Sequence, residues 1–255
     1  MMKLIQNLPL LNISSIEKTQ NEVILTNFTL EAPGGLIAIK AEVKNKITKS
    51  VEIENLPSFV DLMDVKLKTK TYGEIIVSTV FGGDTFIICN ARDFNLTIEP
   101  KNAKKFVEIA KEIIKIANQE FSFSHPTISS LDYISFCQFI EPVKVNSSQQ
   151  KEGWNTVCIR PGKLDRSPCG TGTSARLALM KEKNEIDVNE VFISRSIIGS
   201  TFETKIKEEV ISNGKKMIKP LIKGSAFITG KQELYVSKND PFPEGYTLND
   251  TWPDF

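Results

Sequence analysis

The stretch Leu164 to Met180 reads LDRSPCGTGTSARLALM, placing an acid, a proline, a thiol and two glycines directly ahead of a helix-forming run. Pro168 has a preset φ and no N–H to lose, which suits a helix entrance and not a helix interior. Gly170 and Gly172 let the backbone come close to another group. The spacing predicts loop, glycine turn and then a helix N-terminus beside Cys169. The free N–H groups there carry roughly half a positive charge and attract anions. A carboxylate or phosphate would sit on the N–H groups around Gly170, Thr171 and Gly172. Cys169 is expected to ionise more readily than a free thiol of pKa ~8.5. A thiolate next to an anion cradle is a reaction centre in outline. The plainer alternative is a small buried hydrophobe before an ordinary turn.

Other glycine-loop chemistries fit poorly. No Lys-Ser/Thr pair follows the second glycine, as a phosphate loop requires, and GTGTSA does not match the dinucleotide fingerprint. The remaining cysteines, Cys89, Cys137 and Cys158, sit in the apolar, strand-like text FIICNA, ISFCQF and TVCIRP. They are expected to be core residues. Without a C-x-x-C pair, and with His125 as the single histidine, a zinc site is not expected. His125 precedes a proline and reads as a loop residue. Four unpatterned cysteines suit a reducing, cytoplasmic setting.

The elements that must position this centre are mostly strands. VILTNFTLEAPGGLIAIKAEV alternates on both sides of Pro33-Gly34-Gly35, a hairpin signal. SVEIENLPSFV continues the pattern to Pro57. A further pair of strands flanks Tyr72-Gly73, the second being interrupted at Gly82-Gly83. Residues 101–119 give the clearest helix, with Phe106, Ile109, Ala110, Ile113, Ile116 and Ala117 on one face. Strands are expected near 131–140 and 154–160. VFISRSIIGSTFETKI, MIKPLIKGSAFITG and KQELYVS read as three closing strands, and the tail as loop. Long antiparallel stretches with two spaced helices predict an α+β fold with each helix wrapped by sheet.

With 255 residues the chain can build a substantial core. Its 32 Lys and Arg against 31 acidic residues argue against nucleic-acid partners or a polybasic membrane surface. No apolar run reaches the ~18 residues of a membrane span, and the N-terminal text does not resemble a signal peptide.

The string LDRSPCGTGTSARLALM closely resembles the second active-site motif of the proline racemase family, which includes hydroxyproline epimerases. LEAPGG, ENLPSF, VFGGDTFIICNA, SIIGSTFETKI, GSAFITGKQEL and DPFPEG follow in that family's order and spacing. The resemblance implies a diaminopimelate-epimerase-like α+β fold, two pseudo-symmetric halves of sheet around a central helix. It implies cofactor-independent, metal-free inversion of the α-carbon of proline or hydroxyproline, with a slight leaning to 4-hydroxyproline. Two thiols on opposite faces would do this, one removing the α-proton and the other returning one. By position Cys169 is the second thiol, Asp165 would hold the ring amine, and Gly170 and Thr171, helped by Gly172, would bind the carboxylate.

One departure matters. The family's first motif is a Cys-Gly-His string, and these 255 residues contain none. Against the family layout, on the order of a hundred N-terminal residues have no counterpart. Residues 1–57 would be a remnant of the N-terminal half and 58–255 the C-terminal half, its final strands returning to the first. Apolar surface within 1–55 would then lie exposed, favouring a homodimer or a complementing N-terminal fragment. Retention of Cys169 speaks against the related trans-3-hydroxyproline dehydratases, which carry threonine there. A second reading is an inactive fragment or a small imino-acid-binding remnant.

Overall fold

A computed structural model describes residues 12–19, 23–32 and 35–246. Its strands are β1 (Asn12–Lys18), β2 (Ile24–Ala32), β3 (Gly35–Lys44), β4 (Ile47–Glu54), β5 (Phe59–Lys68), β6 (Glu74–Phe81) and β7 (Thr85–Asn90). After these come helix α1 (Ala103–Glu120) and strands β8 (Phe136–Ile140), β9 (Lys144–Val145), β10 (Lys151–Ile159) and β11 (Lys163–Leu164). Helix α2 (Gly170–Glu182) precedes β12 (Phe192–Arg195), β13 (Thr201–Ser212) and β14 (Lys215–Gly224). The fold is α+β.

The strands run in the order β1-β2-β3-β4-β14-β13-β12-β10-β8-β7-β6-β5, with β9 and β11 attached to β10. Among the described strands, β10 pairs with β12 and β7 with β8 in parallel. β10 joins the two halves of this surface. Its first residues, Lys151–Trp154, pair with β12, and Asn155–Cys158 pair with β8. The sheet then curls until Ser58, just before β5, bridges Ile218 on β14. That curl encloses α2, which packs on β5, β6 and β7 on one side and β14 on the other.

The two helices use the sheet differently. Along α1, Phe106, Ile109, Ala110, Ile113, Ile114, Ile116 and Ala117 are buried, so the expected face is the buried one. They meet Val77, Ile87, Cys89, Cys137, Phe139 and Cys158 on the outer surface of β6, β7, β8 and β10. Strand side chains alternate between faces. The intervening residues Val80, Phe86, Ile88 and Val157 therefore face inward to Ala175, Leu177 and Leu179 of α2. Residues Gly172 through Met180 of α2 are all buried, so this helix is surrounded rather than laid on a surface. Small side chains permit it. A Cβ added to Gly82 would lie 2.2 Å from the Thr171 carbonyl oxygen and 2.4 Å from the Ala175 nitrogen.

β2 and β3 pair through Ala32↔Gly35, as the hairpin reading expects, while Pro33 and Gly34 lie outside the described residues. The closing strands need correction. β14 ends at Gly224, and SAFITG and KQELYVS form no strand. Among the described residues no adjacent strand takes their backbone hydrogen bonds, and Phe227, Ile228, Leu234, Tyr235 and Val236 stand exposed. Ile16, Leu36 and Ile47 are exposed among the described residues of 1–55, and most of the apolar N-terminal text lies outside the described residues.

Candidate active site

Helix α2 starts at Gly170, with Cys169 as N-cap. Cys169 adopts φ 65° and ψ 115°. A side chain at positive φ outside glycine costs on the order of 1–3 kcal/mol and marks a position held by its surroundings. The sulfur turns back over the first helical turn. It accepts the Gly172 N–H at 3.4 Å and lies 3.5 Å from the Thr171 hydroxyl. The Cys169 N–H donates to Ser167 Oγ at 3.1 Å. The Asp165 carboxylate is near enough to act on the thiol electrostatically.

This arrangement assigns the first-turn donors. Gly172 gives its N–H to the sulfur and the Thr173 N–H binds the Cys169 carbonyl. The N–H groups of Gly170 and Thr171 have no partner among the described residues. Gly170 faces open space, since a Cβ there would meet nothing within 4 Å. Gly172 is pressed inward, where a Cβ would come within 2.9 Å of a Val157 methyl.

The expected acidity of Cys169 is overturned. The residue is 7% exposed, and its thiol is pushed up to about 12, first by burial and next by the Asp165 charge. The Thr171 hydroxyl and the Gly172 N–H act the other way and are outweighed. Desolvation penalises a thiolate more than one helix end can offset. The resting thiol is therefore protonated at neutral pH.

Asp165 is half-buried and also lines a cavity of about 480 Å³, with Val107, Lys163, Leu164, Ile197 and Ile198 among its walls. Its N–H donates to the Val157 carbonyl at 3.0 Å, which anchors the loop to β10. The other cysteines are free and buried, as their apolar context suggests. His125 lies against the Phe81 and Phe59 rings. Among the described residues no cluster of metal-ligating side chains forms.

Sequence reasoning missed Asn55. Its side-chain amide donates to the Gly82 carbonyl at 3.1 Å and to Ser174 Oγ at 2.8 Å, stitching the β4–β5 connection to the first turns of α2. A polar residue just before Leu56-Pro57 was the available signal, and a turn residue gives the same one.

A family model described as proline racemase matches residues 11–247. The chain belongs to the proline racemase family. Two solved members of similar structure come from Agrobacterium. The first is a hydroxyproline epimerase from Agrobacterium vitis with bound trans-4-hydroxy-L-proline. It matches at 31% identity and a TM-score of 0.77, over 89% of this chain and 64% of its own. The second is a probable proline racemase from Agrobacterium radiobacter K84 with bound carbonate, at 31% identity and a TM-score of 0.76, over 89% and 66%. The chain thus spans 64% of the length of the Agrobacterium vitis relative. In this proline racemase family member, no helix among the described residues is long and apolar enough to cross a membrane.

Proposed function

We propose that the chain is an amino-acid racemase or epimerase component that moves the α-proton of proline or hydroxyproline, with Cys169 as one of two acid–base groups. Amino-acid racemase or epimerase chemistry is the activity its family and its solved relatives support. One observation carries the finer reading. A cysteine at positive φ caps α2, with the Asp165 carboxylate acting on its thiol and two N–H groups of the first turn without a partner among the described residues.

The substrate carboxylate would lie on the Gly170 and Thr171 N–H groups, and its ring ammonium against Asp165. Binding a cation at Asp165 offsets a charge that holds the thiol protonated, so the substrate itself favours the thiolate. The Cα–H bond then breaks as an S–H bond forms at Cys169. The electron pair left on Cα spreads into the carboxylate, where fixed donors and the helix end stabilise it. Inversion needs a proton from the opposite face. The family's Cys-Gly-His thiol would supply it, and these 255 residues lack that string. The chain alone is therefore expected to exchange the α-hydrogen without inverting it. Inversion would need a complementing N-terminal segment or partner chain. Four free thiols suit a cytoplasmic setting.

The reaction class is tested by incubating the chain in D2O with L-proline, trans-4-hydroxy-L-proline and trans-3-hydroxy-L-proline. Deuterium at Cα, read by NMR, is expected with the first two, together with unchanged optical rotation. Loss of water from the 3-hydroxy substrate would instead make the chain a dehydratase. No exchange with any of them would leave the binding-remnant reading.

A further inference from the structure

We propose that Thr173 is a positioning residue for Cys169, clamping both peptide planes that flank it, with Ser194 and Asn155 orienting the Thr173 hydroxyl from behind. The inference rests on the reading of Cys169 as the base.

The geometry is specific. The Thr173 backbone N–H donates to the Cys169 carbonyl at 2.8 Å, fixing the plane after the cysteine. Its hydroxyl lies 3.1 Å from the Pro168 carbonyl, fixing the plane before it. The opposite edge of that same peptide is held where the Cys169 N–H meets Ser167 Oγ. Rotation about both soft bonds of Cys169 is thus restrained, at the φ of 65° that an unrestrained cysteine avoids. The first contact is an ordinary opening bond of a helix. The second is not, because it reaches outside the helix to the residue before the cap.

Behind Thr173, its Oγ1 lies 3.0 Å from Ser194 Oγ, and Asn155 Nδ2 donates to Ser194 Oγ at 2.7 Å. Proton counting sets the direction. An amide nitrogen only donates and each hydroxyl has a single proton. With the Thr173 proton committed to Pro168, Ser194 must donate to Thr173 and accept from Asn155. The chain therefore runs one way, from Asn155 on β10 through Ser194 on β12 to the carbonyl preceding Cys169. Asn155, Ser194 and Thr173 are all fully buried, so water does not compete along it. It spans the place where β10 passes between its two sheet partners, which ties the thiol's backbone to the seam of the fold.

Thr173→Val keeps the shape and the backbone N–H but removes the hydroxyl. Thr173→Ser keeps the hydroxyl. Alkylation of each cysteine by iodoacetamide, read by peptide mass spectrometry, follows the clamp, while α-deuteration of trans-4-hydroxy-L-proline follows catalysis. Cys89, Cys137 and Cys158 serve as internal reporters of general loosening, since each is at most 2% exposed. In Thr173→Val, Cys169 is expected to alkylate at least about tenfold faster as it relaxes outward, with the other thiols within about twofold. Deuteration is expected to fall at least about tenfold, and Thr173→Ser to restore both rates to within about threefold. Unchanged Cys169 alkylation in Thr173→Val would overturn the proposal, as would acceleration of all four thiols together. If the native chain deuterates no faster than Cys169→Ser, the base reading fails, and the alkylation arm still decides the clamp.

Discussion

The two α-helices of the described residues answer to different physics. α1 lays one apolar face on the outside of the sheet and leaves lysines and glutamates in water. α2 is enclosed by the sheet, buried from Gly172 to Met180, and carries a strained thiol at its entrance. An amphipathic helix needs only volume and periodicity, so its tolerance varies from face to face. An enclosed helix needs small residues at fixed places, and in return its N-terminus is held immobile enough to keep Cys169 at positive φ.

Substitutions can break that distinction. The largest expected effect is Phe106→Ala on α1, where a fully buried ring is removed; a loss of about 3–5 kcal/mol should appear in denaturant unfolding. If the helices are distinct, the folded fraction of this variant alkylates at Cys169 at the native rate. Gly82→Ala comes next. Its Cβ would press on the backbone of Thr171 and Ala175, costing about 1–3 kcal/mol or more. Unlike the α1 variant, it should also change the Cys169 alkylation rate, because the displaced atoms belong to the first turns of α2. A native rate in Gly82→Ala would show that the enclosure does not hold the site.

The protonation of Cys169 sharpens the same contrast. With the thiol near 12, its alkylation should climb about tenfold per pH unit from roughly pH 8 to 10 without levelling. A plateau below about pH 9 would mean that the helix end prevails over burial. The smallest effect belongs to Lys115→Ala on the exposed face of α1, which should shift stability by less than about 0.5 kcal/mol.

How much of this the sequence disclosed follows from where each signal resides. The face of α1 was legible because 3.6-residue periodicity is written locally, and so were the hairpins around Tyr72-Gly73 and between β2 and β3. Cys169 at a helix entrance was legible from Pro168 and Gly170. Its acidity was not, because burial by Val157 and the neighbourhood of Asp165 arise only when β10 and the loop pack together. The strand reading of SAFITG and KQELYVS failed for the converse reason, since alternation describes a strand but does not supply its neighbour. Asn155 and Ser194 lie 39 residues apart on separate strands. Their only local trace is polarity inside apolar text, which says that a partner is needed without naming it.

The central claim is that Cys169 takes the α-proton of a cyclic imino acid, and deuterium incorporation into trans-4-hydroxy-L-proline by the native chain and by Cys169→Ser tests it most directly. The expected result is α-deuteration by the native chain, reduced at least about a hundredfold in a variant that melts at the same temperature. Exchange that survives the substitution unchanged would contradict the account and place the base elsewhere.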